Sequence, residues 1–380
     1  MTGVQTCALP ISHFMDFPIG NGNPRNSEGS FLSVDGKDEI LFAYTSFVGE
    51  KARDFTKADI KITRSHDGGR TWDTPVTVIH ANDYDAMNVM SVSLLRMQNG
   101  DIGMIYLIRM NWLDMRIVMR YSADSGRTWG ETIRCSVRDG YFVINNDRAI
   151  RLSSGRIIIP SAEHRNQINT DGKVIFAPAV TTFFYSDDDG KTWNESQTEL
   201  SFENIPVCRS GLQEPGVIEL KPGYLYGWAR TDLGRQYEFI SEDNGVTWSE
   251  AIPSRFTSPL SPMSMKRLQG GEIMAIWNPI PLNNIMKENK ATGGRTPLVY
   301  SLSKDNGITW SDPMPIEDAP DAGYCYTAIL PMDNAVLLAY CAGTEADLGS
   351  CLNRLRIRRL QLSSGTGSSA DTPHCMGIGF

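Results

Sequence analysis

No apolar run in these 380 residues approaches the roughly 20 that a membrane-spanning helix needs, which excludes a helical membrane protein. Positive charge is scarce too: 36 Lys and Arg stand against 44 Asp and Glu, for a net charge of -8. Such a balance argues against nucleic acid as a partner and offers an anionic ligand no long-range attraction. Any anion site must therefore be assembled locally from arginines. Of seven cysteines, Cys7 and Cys375 lie in ends that share nothing with the rest of the chain. The remaining Cys135, Cys208, Cys325, Cys341 and Cys351 are odd in number and without paired spacing, which argues against a disulfide framework. Helical periodicity is also sparse, while 41% hydrophobic residues and 34 glycines suit a chain with a large core and many turns.

What is present is repetition. Ser-x-Asp-x-Gly-x-Thr-Trp occurs five times, from Ser65, Ser122, Ser186, Ser241 and Ser303, at steps of 57, 64, 55 and 62 residues. Five fixed positions match by chance at on the order of one site in ten million, so the spacing measures a structural unit. Within each box the Asp side chain can accept backbone N–H bonds of its own turn and Gly supplies positive φ. The first six positions therefore read as a tight hairpin. Thr-Trp then opens the next strand, with the indole as a packing anchor. Calcium loops would need denser oxygen ligands and a distal Glu, which the boxes lack.

A second motif, a turn followed by a short apolar strand, runs in phase with the boxes at 35–44, 99–107, 154–162, 222–230, 270–278 and 333–341. Six such segments mean six units, of which only the last lacks a box. Each unit reads as four antiparallel strands, and the chain is expected to be all-β, a six-bladed β-propeller. Residues 13–362 form its single domain. After the strand at 352–362 the last blade lacks a fourth, and His13 to Gly20 is the segment that can close it. Residues 1–12 resemble the read-through of a sequencing adapter and are expected to lie outside the fold. Residues 363–380 read as a low-complexity tail. A secreted or periplasmic monomer without metal or cofactor is expected.

In a propeller the inner strands start on one face, where second strands end, and the boxes lie on the other. The inner-strand starts place Arg25, Glu28, Asp147, Glu214 and Tyr326 near one mouth, and second-strand ends add Arg109, His164 and Arg230. The long loop of the first unit adds Asp54, and the third strand of the fifth begins with Arg295. Converging arginines are costly unless they have acidic partners or await an anion. The anion reading expects the guanidinium groups of Arg25, Arg230 and Arg295 to meet at one point without internal acids to pair them. The box tryptophans Trp72, Trp129, Trp193, Trp248 and Trp310 read as core.

These residues resemble the bacterial exo-alpha-sialidase family, Asp-box propellers with an arginine triad, over about residues 21–362. The stretch QEPGVIELKPGYLYGWAR relates Glu214 to Arg230 as the family relates its Glu and second arginine, and Arg295 precedes the Ser303 box by a few residues. Arg25 matches in position only, because NPRNSEG departs from the family's aromatic-Arg-Ile-Pro stretch. The resemblance implies a retaining exo-glycosidase acting on a sialylated glycan or related acidic sugar. Tyr326 would be the nucleophile, Glu214 its base and Asp54 the acid/base, with Arg25, Arg230 and Arg295 on the substrate carboxylate. Tyr324 rivals Tyr326, and Asp59 rivals Asp54. Secondary candidates are His164, Asp147 and Arg109. Two other readings stand beside it: a propeller that binds acidic sugars without turnover, and a scaffold whose boxes serve folding alone.

Overall fold

The computed structural model describes residues 13–361 other than 37, 203, 204, 206 and 282–290, so the assignments made for residues 1–12 and 363–380 fall outside the described residues. Among the described residues the only helical element is one 3-10 turn, Ala81–Tyr84, and the rest is strand and loop. Apart from a two-stranded hairpin of Gln167–Ile168 with Val174–Ile175, the strands form six antiparallel sheets, each meandering from an inner to an outer edge. Blade one runs Asn26–Ser33, Ile40–Phe47, Ala58–Ser65 and Val76–Ile79. Blades two, four and five repeat the pattern from Asn88–Arg96, Gln213–Lys221 and Ser264–Arg267. The inner edge of blade three is broken into Phe142–Val143 and Ile150–Arg151. Blade six supplies Ala322–Pro331, Ala335–Thr344 and Leu355–Gln361, and His13–Phe17 pairs with the last of these as its outer strand. The ring is therefore closed by the N-terminal strand in the blade that lacks a box.

Each apolar cluster sits between two blades. Phe17, Phe31, Phe42 and Leu337 join blades six and one. Ile60, Val89, Leu94 and Tyr106 join one and two, and equivalent clusters fill the other four seams. The inner and second strands are buried on both faces, which explains near-continuous apolar runs such as Ile40–Phe47.

The boxes link third to fourth strands and are self-contained. In the first, Gly69 N–H donates to Ser65 Oγ at 2.8 Å, and Thr71 donates to Asp67 through its N–H (2.9 Å) and its hydroxyl (2.7 Å). The other four repeat the network. Against slight burial, the Thr71 and Ser65 bonds hold the Asp67 carboxyl down at about 2. Trp193 and Trp248 are core, whereas Trp72, Trp129 and Trp310 are partly buried against their seams.

Candidate active site

The inner strands are not regular. Glu28, Ser91, Asp147, Glu214 and Tyr326 all take φ between 45° and 59°, one in each of blades one, two, three, four and six. Four of them sit at breaks in pairing register, between Ser27 and Ser30, Met90 and Ser93, Gln213 and Gly216, and Cys325 and Ala328. A bulge adds a residue to one strand and re-aims its side chain. Non-glycine residues in this region cost about 1 kcal/mol or more each, so five in equivalent places mark a strained ring of polar side chains. Gly216 lets the Glu214 bulge pack, since a Cβ there would stand 2.2 Å from the Trp228 ring.

Two of these bulges face each other. The Tyr326 hydroxyl donates to Glu214 Oε1 at 3.0 Å, and Arg230 Nη1 lies 3.4 Å from that hydroxyl and 3.1 Å from Glu214 Oε2. The Arg295 guanidinium lies 5.5 Å from the centre of the Tyr326 ring. Burial first, then the Glu214 charge, pushes the Tyr326 phenol well above its ordinary pKa, so it rests protonated. Tyr324 points elsewhere, buried against the Tyr340 ring with Glu317 and Arg356 nearby. Of the two tyrosines only Tyr326 reaches Glu214.

Asp54 projects from the loop after the second strand of blade one. Asn88 Nδ2 holds that loop through the Asp54 and Thr56 carbonyls at 2.6 and 3.1 Å, and Arg109 donates to the Asp54 carbonyl as well. The Asp54 side chain is 59% exposed, yet Oδ1 lies 2.5 Å from Arg25 Nη1. Desolvation at the mouth opposes ionisation, but Arg25, then Arg109 and Arg295, outweigh it and hold the carboxyl below its usual range. Asp59, by contrast, serves the fold: Oδ1 accepts the Ala81 N–H at 2.9 Å, and Oδ2 lies 3.3 Å from His80 Nδ1.

The three arginines are not free, which corrects the expectation of an unpaired trident. Arg25, 1% exposed, lies over the Phe47 ring and donates to Ser27 Oγ, Asp54 Oδ1 and Glu28 Oε1. Arg230 is engaged by Gln213 Oε1 as well as Glu214. Arg295 donates to Cys325 Sγ at 3.0 Å and to the Leu260 carbonyl at 3.3 Å. Charge still favours an anion. Arg25, Arg109, Arg230 and Arg295 face three carboxylates, and burial pushes one of these, Glu28, up to about 7 against the pull of Arg25. Sequence reasoning placed Glu28 at this mouth but missed its role; its spacing of three from Arg25 was the available signal. Ser91, missed entirely, donates to Glu28 Oε2 at 2.6 Å.

A cavity of about 490 Å³ opens here, lined by Arg25, Asp54, Arg109, Glu214 and Arg230 and walled by Trp112, Phe176 and His164. Tyr326 and Arg295 stand behind that lining, Tyr326 one contact beyond Glu214 and Arg230. His164 donates through Nδ1 to the Ala177 carbonyl at 3.0 Å, which leaves Nε2 as an acceptor. Burial, reinforced by Arg230, lowers its pKa despite that bond, so it is neutral near pH 7. Asp147 does not join the cavity. It lies in the channel, bonded to Ser30 of blade one, Lys266 of blade five and the Ile329 N–H of blade six, and ties the blades together.

Residues 39–338 match the BNR repeat-like domain family. A Bacteroides fragilis sialidase is 24% identical over 79% of this chain, an alignment that spans 57% of that relative. Two other curated sialidase relatives are spanned over less than a third of their length. Among solved structures, Trypanosoma rangeli sialidase in complex with sialic acid superposes with a TM-score of 0.67 at 18% identity, over 93% of this chain and 59% of that one. A Dyadobacter fermentans protein of unknown function reaches 0.69 at 16% identity, over 92% of this chain and 98% of that one. The chain therefore belongs to the BNR repeat-like domain family, as a six-bladed propeller of the sialidase type.

Proposed function

We propose that the chain is a retaining exo-glycosidase that releases terminal sialic acid, or a related nonulosonic acid, from glycoconjugates. The carrying observation is the Tyr326 phenol held on Glu214 beside Arg230, on two strained bulges from blades six and four. A sialic acid bears its carboxylate on the anomeric carbon, so a carboxylate nucleophile would approach against like charge. A tyrosine stays neutral until its base draws the proton, and sialidases depart in this way from the two-carboxylate scheme. Glu214 is that base. A propeller that only bound acidic sugars would gain nothing from a phenol–carboxylate pair stored at the cost of two bulges.

The arginine pairing suggests how the acid is readied. The incoming carboxylate competes with Asp54 for Arg25, and with Glu214 for Arg230. Once displaced, Asp54 loses the charge that keeps it ionised, its pKa rises, and it can protonate the leaving oxygen and later activate water. Arg230, drawn toward the substrate, uncovers the Tyr326 hydroxyl. Each charge-assisted bond to the carboxylate contributes roughly 1.5–3 kcal/mol.

The test is hydrolysis of a fluorogenic sialoside beside its ketodeoxynononic acid analogue, with NMR of the first-formed anomer. Turnover with retention is expected, and folded protein that turns over neither substrate sinks the proposal. Asp54→Asn is expected to lose about 10²–10⁴-fold in kcat on an alkyl-linked glycan but far less on an aryl sialoside, whose leaving group needs little protonation.

A further inference from the structure

Three of the described cysteines lie together behind the cavity, and the reaction above uses none of them. Cys325, Cys341 and Cys351 are buried free thiols in one cluster against Tyr326 and Leu352. Cys325 and Cys341 are register partners across the first two strands of blade six. Directly opposed antiparallel residues have Cα atoms about 4.5–5.5 Å apart, within the roughly 4.4–6.8 Å that a disulfide spans. Cys351 lies on the return loop, where its carbonyl accepts the Gly343 N–H at 3.1 Å.

The three sulfurs are not equivalent. Cys325 Sγ accepts from Arg295 Nη1 at 3.0 Å and is packed with the Cys341 and Cys351 side chains. Burial opposes its ionisation, but the neighbouring thiols and the Arg295 charge prevail and hold the thiol well below its ordinary pKa. Burial pushes the Cys135 thiol well up and the Cys208 thiol up. The thiolate is the reactive form, so Cys325 is the favoured site of attack. Leu352 both lines the cavity and packs on the cluster, so its side chain stands between the thiols and the pocket.

We infer that Cys325 and Cys341 form a dithiol that hydroperoxides oxidise to a disulfide, with Cys325 attacked first and Cys341 resolving it. The Cys325 thiolate attacks one peroxide oxygen: an S–O bond forms, the O–O bond breaks, and the departing hydroxide takes a proton and leaves as water. The Cys341 sulfur then attacks Cys325, and the S–S bond forms as the S–O bond breaks. The released oxygen carries off the Cys341 proton as a second water. Two thiols are oxidised and one peroxide is reduced. The step removes the sulfur anion that faces Arg295, so the redox state of the pair sets how far that arginine is available to another anion.

Intact protein titrated with hydrogen peroxide, alkylated and digested without reduction tests this by mass, independently of turnover. A Cys325–Cys341 cross-link is expected, reversed by dithiothreitol, with Cys135 and Cys208 still alkylated. Cys341→Ser should halt at a Cys325 sulfenic acid that dimedone traps, and Leu352→Ala should speed thiol loss several-fold. Oxidation of Cys135 or Cys208 at the rate of Cys325, a cross-link that forms only in denaturant, or an unchanged rate in Leu352→Ala would each overturn the inference.

Discussion

The two faces of this propeller are built on opposite principles. On the box face each turn closes on itself: Ser, Asp, Gly and Thr within seven residues bond to one another, and five of the six blades repeat the network. On the pocket face Arg25 and Arg230 pair with acids of their own blades, but the groups that matter most also lean on other blades. Tyr326 of blade six leans on Glu214 of blade four, and Glu28 of blade one accepts from Ser91 of blade two. Local closure gives stability that survives alone, whereas mutual dependence places unlike groups at strained positions where each holds the next.

That contrast can be broken or sharpened by substitution. Tyr326→Phe removes the one hydroxyl that reaches Glu214 and should lower kcat by roughly three orders of magnitude or more, with the melting temperature nearly unmoved; stopped assays and a thermal melt check both. Arg230→Ala strips a donor shared by phenol, base and substrate. It is expected to cost about 10- to 100-fold in kcat/KM, and an unchanged value would show that the faces do not differ as described.

Glu28→Gln addresses charge alone. Below about pH 7 Glu28 is protonated and Arg25 carries more uncompensated charge; above it the carboxylate ionises and repels the substrate anion. KM for the sialoside should therefore rise about tenfold as pH passes through 7, and the variant should lose that rise in a KM-against-pH series. At the other face, Asp243→Ala opens one box. A fall of about 2–4 °C in melting temperature is expected with KM unaltered, and a shift in KM would contradict the independence of the boxes.

The difference between faces also explains what could be read from the chain. Five boxes and six apolar turns counted the blades, and the missing box pointed to the closing blade, where His13–Phe17 pairs with Leu355–Gln361. Asp54 could be preferred to Asp59 because Asp59 falls inside a strand pattern, and that strand is present. Tyr324 and Tyr326 were harder. Strict alternation points residues two apart to the same side, and only the bulge at Tyr326 turns them apart. The pairing of Arg25 with Asp54, and the diversion of Asp147 into the channel, left no mark in composition or spacing.

By itself the sequence determined the number of blades, their strand order and the face on which chemistry could lie, because hairpins, boxes and alternating burial are made by neighbours in the chain. Tertiary structure alone decided which side chains meet. Tyr326 meets Glu214 across 112 residues of chain and Ser91 meets Glu28 across 63, and the charge that Arg25 presents depends on Asp54, 29 residues away.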